Sequence, residues 1–243
     1  MSYNILLFDA DNTLLDFDYA EHEAFKNANL KFGLPFTEEL YAKYHVINDG
    51  WWKRYEKGLY KKEEIVILRF KEYLALTGIE INPEEFNKTF LSNLANGTKT
   101  VDGAFEVLKT LKELGKTIYI ATNGITKVQE KRLGAQDFIK FIDGIFVSEE
   151  MGFPKPELGF FENAQKKCGL TFGSDTLIIG DSLTSDIKGG NLLGIDTCWF
   201  NRNGAPLKDG FKVTYTIKAL KEIIDIVNKN SKLKKIAKIR YLF

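Results

Sequence analysis

The chain has 243 residues, a net charge of +1, 44% hydrophobic residues and 28% charged residues. These proportions are typical of a globular protein, and a near-neutral charge gives no general reason to expect a nucleic-acid partner. No apolar run approaches the roughly 20 residues that cross a bilayer, and the amino terminus lacks the pattern of a secretion signal. Cys168 and Cys198 form no disulfide framework and no metal-binding spacing, so we interpret them as reduced thiols. We therefore expect a cytoplasmic protein without membrane contact.

The first informative segment is the apolar run Ile5–Phe8, which is followed at once by Asp9, Asp11 and Thr13. An unbroken apolar run predicts a strand that is buried on both faces, as in a parallel sheet. The acids then lie just past its carboxyl end, where open α/β sheets bind ligands. Two neighbouring carboxylates repel each other unless a cation or a shared proton relieves them. One can act as a nucleophile and the other as an acid and base.

The same acids also match the opening of a calcium-binding loop, which is the simplest alternative. That loop needs a glycine at its sixth position, where this chain has Leu14. It also follows a helix, whereas these acids follow a predicted strand. The calcium loop is therefore disfavoured.

After the first motif, the pattern changes to helices. Two segments begin as helices do, with a capping side chain at Thr37 or Asn82 followed by acids or proline. Apolar residues recur at helical spacing in 19–32, 37–57, 61–77 and 83–95. We interpret residues 17–96 as a helical cap domain that is inserted into a catalytic core formed by residues 1–16 and 97–243.

From Val101 onward, helices and strands alternate, which is typical of α/β folds. Strands are predicted at 117–121, 144–147, 175–179, 195–200 and near 213–216. Helices are predicted at 103–114, 125–133, in the segment that ends near Cys168, at 185–193 and at 217–229. The predicted fold class is thus α/β, with a Rossmann-like parallel sheet and an inserted helical cap.

Polar side chains follow several of these strands and can converge, because parallel strands place their carboxyl ends along one edge of a sheet. Carboxylates at this edge offer the hard oxygen ligands that Mg²⁺ prefers. A lysine and a threonine can donate hydrogen bonds to the oxygens of a phosphoryl group. The residues concerned are Asp9, Asp11, Thr122, Asn123, Lys155, Asp181 and Asp186.

At these positions the chain resembles the haloacid dehalogenase-like hydrolase superfamily, whose motifs it carries in order over essentially its whole length. They stand here as Asp9-Ala10-Asp11-Asn12-Thr13, Thr122, Lys155-Pro156, and Gly180-Asp181 through Asp186. The insertion after the first motif resembles the family's helical cap. Further resemblance to the YjjG-like pyrimidine 5′-nucleotidase branch lies in Phe8-Asp9-Ala10-Asp11, Thr122-Asn123-Gly124 and Thr197-Cys198-Trp199-Phe200-Asn201.

The resemblance implies a Mg²⁺-dependent phosphatase that acts through an aspartyl phosphate. Asp9 would be the nucleophile, and Asp11 would protonate the leaving alcohol and later deprotonate the attacking water. The presence of Asp11 also argues against dehalogenation, because a halide leaves without a proton. Mg²⁺ would be held by the Asp9 side chain, the Asp11 backbone carbonyl and Asp181, with Asp186 nearby. The phosphoryl group would be bound by Thr122, Asn123 and Lys155.

An esterase signature, Gly180-Asp181-Ser182-Leu183, offers a second reading of the same segment. It requires a histidine base near the end of the chain. Both histidines, His22 and His45, lie far upstream in the helical insertion. The esterase interpretation is therefore disfavoured.

The helical insertion is expected to select the substrate through aromatic and basic residues, which can stack on a base and bind it. The candidates are Trp51, Trp52, Arg54 and Tyr55. We expect a small phosphorylated metabolite, a nucleoside monophosphate above all, as the partner of a monomer or weak homodimer. The alternatives are a phosphoglycolate or sugar-phosphate phosphatase and, in a different class, a non-enzymatic phosphate-binding regulatory protein.

The end of the chain, residues 229–243, carries six basic residues and no acid. Such a segment could bind an anionic partner, but short basic runs are usually solvated chain ends. We interpret it as a solvated extension of the last helix.

Overall fold

The computed structural model describes residues 3–229, and the centre of its α/β part is a sheet in which all pairings are parallel. The strands are β1 Ile5–Phe8, β2 Thr117–Thr122, β3 Gly144–Val147, β4 Thr176–Gly180, β5 Asp196–Phe200 and β6 Tyr215–Ile217. Their order in the sheet is β3-β2-β1-β4-β5-β6. The predicted fold class is confirmed.

The helices agree with the predicted segments to within a few residues in the first half of the chain. They are α1 Phe17–Lys31, α2 Glu38–Glu56, α3 Lys62–Ala75, α4 Pro83–Leu94, α5 Ala104–Glu113, α6 Thr126–Gly134, α7 Ser148–Met151, α8 Leu158–Cys168 and α9 Lys188–Leu193. Among residues 3–229, none of these helices has the length and apolar content that a bilayer crossing would require.

Four features of the second half were not predicted. Helix α7 and a 3-10 turn at Asp137–Phe141 are too short to produce a periodic pattern. A π-helical turn, Leu183–Ile187, occupies the first part of the predicted helix 185–193. The last helix begins at residue 222 rather than 217, because the Glu222 carboxylate accepts hydrogen bonds from two backbone N–H groups of the preceding turn.

The chain forms two compact units. The sheet unit comprises the chain up to Leu15, Thr100–Ile125, and the chain from Gln136 onward. The helical unit comprises Asp16–Lys99 together with Thr126–Ala135, so it includes α6 as well as the inserted helices. The reason lies in its contacts, since Arg132 of α6 donates a hydrogen bond to the Gly97 carbonyl at 2.9 Å.

Aromatic side chains form the core of the helical unit. Tyr44 stacks between Phe25 and Phe70, with ring centroids 4.5 and 5.3 Å away. Tyr73 and Phe90 meet the Tyr44 ring edge-on. These large buried rings explain the helical periodicity of this part of the sequence, because each helix must turn one apolar face inward.

In the sheet unit, β1 and β4 are buried along their whole length. From β1 the chain continues to β2 and β3 on one side of the sheet, and β4 is followed by β5 and β6 on the other. The order therefore reverses between β1 and β4, which is where open α/β sheets form their ligand crevice.

Candidate active site

Two of the predicted acids lie at this reversal point, on the loops after β1 and β4. The backbone N–H of Asp9 donates to the Ile179 carbonyl at 2.8 Å and continues the β1–β4 pairing by one residue. Asp9 thus leaves the sheet beside Gly180, and Asp181 follows directly. Strand pairing alone places these two carboxylates next to each other.

The loop after Asp9 turns sharply. The Ala10 carbonyl accepts hydrogen bonds from the N–H groups of Leu14 and Leu15, both at 2.9 Å. Asn12 has a φ of +56°, a left-handed conformation that asparagine tolerates better than most residues. The turn keeps Asp11 close to the strand end.

Lys155 is the cation of the site and is 1% exposed. Its Nζ donates to Asp9 Oδ1 at 2.7 Å, to Asp186 Oδ1 at 2.6 Å and to the Ala121 carbonyl at 2.5 Å. Burial alone would lower the pKa of Lys155, but Asp186 and Asp9 together raise it well above its usual value. The lysine is therefore a fixed positive charge at neutral pH.

The acids of the site are crowded. Burial raises the pKa of Asp9 to about 7; Lys155 opposes this rise, while the charges of Asp186 and Asp11 add to it. Burial and the charges of Asp9 and Asp186 also raise the pKa of Asp181 well above its usual value. A single lysine does not balance this negative charge, so the site favours a further cation.

The geometry suits a divalent cation with oxygen ligands. Carboxylate oxygens of Asp9, Asp181 and Asp186 lie within 4.8 Å of one another. A Cβ at Gly180 would overlap the Asp186 carboxylate, so only glycine allows Asp186 to approach the strand end. Hard carboxylate oxygens are the ligands that Mg²⁺ prefers, and these residues fit the expected ion. The Asp11 carboxylate is not part of this group. The expected metal ligand of this residue is its backbone carbonyl oxygen.

The predicted phosphate-binding residues lie on two neighbouring loops. The Thr122 hydroxyl accepts a hydrogen bond from the Gly124 N–H at 3.0 Å, which orients the side chain. The Asn123 carboxamide bonds to the backbone of Lys155. It donates to the Lys155 carbonyl at 2.9 Å and accepts from the Lys155 N–H at 2.8 Å. Its side chain therefore fixes the lysine loop.

The predicted substrate residues all lie on α2 in the helical unit. Trp51 and Trp52 are partly exposed and Arg54 is exposed, with its guanidinium 4.3 Å from the Trp51 ring centroid. Tyr55 is 8% exposed, and the Lys62 ammonium lies over its ring. Tyr55 is thus largely buried, whereas the other three side chains are partly or fully exposed.

Two hydrogen bonds of the site could not be predicted from the sequence. The Ala121 carbonyl holds Lys155, but a backbone acceptor leaves no trace in residue type. The Trp199 indole N–H donates to the Asp181 carbonyl at 2.8 Å. Trp199 belongs to a segment that resembles the nucleotidase branch, but no neighbouring residue in the sequence predicts this contact.

Comparison with known proteins identifies the family of the chain. Residues 3–194 match the family model of the haloacid dehalogenase-like hydrolases. The chain is 38% identical to the HAD-hydrolase YfnB of Bacillus subtilis over 93% of this chain and 96% of that protein. A crystal structure of YfnB bound to magnesium superimposes with a TM-score of 0.89 and covers 94% of this chain and 100% of that chain.

Two further relatives are pyrimidine 5′-nucleotidases. The chain is 34% identical to PynA of Streptococcus pneumoniae over 95% of this chain and 97% of that protein. It is 29% identical to YjjG of Escherichia coli over 95% of this chain and 100% of that protein. The family prediction made from the motifs is confirmed, and the chain belongs to the haloacid dehalogenase-like hydrolases.

Proposed function

We propose that the protein is a Mg²⁺-dependent phosphatase that hydrolyses nucleoside monophosphates through an aspartyl-phosphate intermediate. The observation that carries the proposal is the buried ion pair of Lys155 with Asp9, beside two further acids at the sheet edge. This arrangement presents a carboxylate nucleophile and a fixed positive charge at one point, in a chain of a hydrolase family.

In the first step, an Asp9 oxygen attacks phosphorus and the bond to the leaving oxygen breaks. Asp11 gives its proton to that oxygen, so a neutral alcohol departs. In the second step, Asp11 takes a proton from water, which attacks phosphorus and releases phosphate from Asp9. Lys155 keeps the Asp9 carboxylate oriented and stabilises the negative charge of the transition state.

The remaining residues bind and orient. Mg²⁺ held by Asp9, Asp181, the Asp11 carbonyl and the nearby Asp186 would neutralise charge on the transferring phosphoryl group. We assign phosphoryl binding to the Thr122 hydroxyl, the Lys155 ammonium and the Asn123 backbone. The Asn123 side chain supports the lysine loop.

We infer the nucleotide preference from two lines of support. Trp51, Trp52 and Arg54 offer a flat apolar surface and a cation, which a nucleoside can use and glycolate cannot. PynA and YjjG are named as pyrimidine 5′-nucleotidases. We place the enzyme in the cytoplasm, as a monomer or weak homodimer whose partner is a small phosphorylated metabolite.

The test compares kcat/KM for dUMP, dTMP, phosphoglycolate and a hexose phosphate at equal Mg²⁺. We expect the pyrimidine nucleotides to be hydrolysed best, and chelation to abolish turnover until Mg²⁺ is restored. If phosphoglycolate or the sugar phosphate is preferred, the phosphatase assignment stands and the nucleotide assignment fails. Phosphate binding without turnover of any of these substrates, or of p-nitrophenyl phosphate, would instead identify a regulatory binding protein.

A further inference from the structure

One peptide group beside the predicted metal ligands is held at both ends. Its carbonyl, that of Asp181, accepts the Trp199 indole hydrogen bond at 2.8 Å. Its N–H, that of Ser182, donates to Asp186 Oδ2 at 3.2 Å. The peptide plane that follows Asp181 therefore cannot rotate without breaking both hydrogen bonds.

The two partners of this peptide are themselves fixed. Trp199 is 5% exposed and lies in β5, where it is in register with Gly180 of β4. Asp186 is fully buried and receives the Lys155 ammonium at its other oxygen. One end of the peptide is thus tied to the sheet and the other to the ionic cluster.

We propose that Trp199 is a positioning residue for the predicted metal ligand Asp181. The Asp181 Cα lies between strand β4 and this held peptide, so the hydrogen bond from the indole limits how far the Cα, and with it the base of the carboxylate side chain, can move. This restriction exists before a cation binds, so less conformational freedom is lost when the carboxylate coordinates it. Residues that form hydrogen bonds with metal ligands commonly increase metal affinity in this way.

This proposal rests on the proposed metal site, and its test measures binding as well as rate. Trp199→Phe keeps an aromatic ring in the buried position and removes the N–H donor. We expect calorimetric titration with Mg²⁺ to show about tenfold weaker binding, at the lower end of what such partners contribute. The Mg²⁺ concentration for half-maximal activity should rise by a similar factor, while kcat at saturating Mg²⁺ should stay within about threefold of wild type.

Tyr3→Phe is the matched control. The Tyr3 hydroxyl donates to Asp196 at 2.6 Å, at the opposite end of the same strand β5. This variant also removes one buried aromatic donor from the sheet unit, but it does not touch the metal ligands. It should lower the unfolding midpoint and leave the Mg²⁺ affinity unchanged.

Each outcome decides the proposal. Equal Mg²⁺ affinity of wild type and Trp199→Phe would overturn the role of Trp199 while leaving the metal site intact. Equal weakening in Tyr3→Phe would trace the effect to general destabilisation and also overturn it. Absence of Mg²⁺ binding in wild type would remove the proposed metal site and this inference together. Should Trp199→Phe not fold, benzothienylalanine at position 199 replaces the indole N–H by sulfur in the same shape, and the same titration decides.

Discussion

Both units of the molecule bury charged side chains, but they do so in different ways. In the helical unit, Arg69 and Glu21 are 1% and 0% exposed. Asn48 joins them by donating to Glu21 Oε1 at 2.5 Å and accepting from Arg69 Nη1 at 2.9 Å. Arg69 Nη2 donates to Asn87 at 3.1 Å. Arg69 and Glu21 are thus joined through an amide rather than directly, and Glu21 also contacts His45 Nδ1 at 2.8 Å.

In the sheet unit, the single ammonium of Lys155 faces the carboxylates of Asp9 and Asp186, with Asp181 close by. This cluster carries excess negative charge and lies at the ends of strands, whereas the helical cluster is balanced and lies among helices. A balanced buried network specifies packing, because its groups already satisfy one another. An unbalanced one at a sheet edge can bind a cation and react. The following predictions test this distinction.

The largest effect is expected for Asp9→Asn in the sheet unit. The amide keeps the shape but is a very poor nucleophile, so turnover should fall by more than about 10⁴-fold, or roughly 5.5 kcal/mol in barrier. Phosphate release from p-nitrophenyl phosphate measures the loss, and circular dichroism checks that the fold is retained. A variant with a tenth of the wild-type rate would contradict the covalent role.

A substitution in the buried polar network of the helical unit should change the free energy of unfolding. Arg69→Met removes the donor that the buried Asn48 and Asn87 oxygens accept from, and leaving buried acceptors unsatisfied costs about 1–3 kcal/mol each. Urea unfolding measures the change in the free energy of unfolding. A cost below about 1 kcal/mol for Arg69→Met would place the network outside the stable core.

A smaller difference is expected between two tyrosines of the same aromatic core. The Tyr73 hydroxyl donates to Asn29 Oδ1 at 2.5 Å, whereas the buried Tyr44 hydroxyl has no hydrogen-bond partner among residues 3–229. Tyr73→Phe should therefore cost about 1–2 kcal/mol, since it leaves the Asn29 oxygen unsatisfied. Tyr44→Phe should be neutral or stabilising. Equal losses in urea unfolding would show that ring packing alone controls this core.

The smallest effect is expected for the pH dependence of stability that His45 contributes. The hydrogen bond with Glu21 raises the pKa of His45; burial opposes the rise, and the charges of Glu21, Asp18 and Asp49 add to it. A raised folded-state pKa stabilises the fold below the ordinary histidine pKa, and this contribution disappears as the pH rises through the folded-state value. The unfolding midpoint of wild type minus that of His45→Gln should therefore decrease from about pH 6 to pH 8. A pH-independent difference would contradict the charged interaction.

Most strands of the sheet could be predicted from the sequence, because they are short and largely apolar runs, whereas the partly exposed β6 could be predicted only approximately. The site motifs could also be predicted. Asp9, Lys155 and Asp181 each follow a strand or lie in a loop of recognisable type, and parallel strands necessarily bring such ends together. The inserted helices followed from periodicity, because their large aromatic residues recur on one face. These features depend on residues that are close together in the chain.

Tertiary structure alone decided the features that join distant segments. Asn123 and Lys155 are 32 positions apart, and their paired hydrogen bonds tie the Asn123 side chain to the lysine loop. Trp199 and Asp181 are 18 positions apart, and only strand register brings the indole to the Asp181 carbonyl. A local pattern records whether a residue is buried and in which type of element. It does not record which backbone group the side chain meets, because that depends on how separate segments pack.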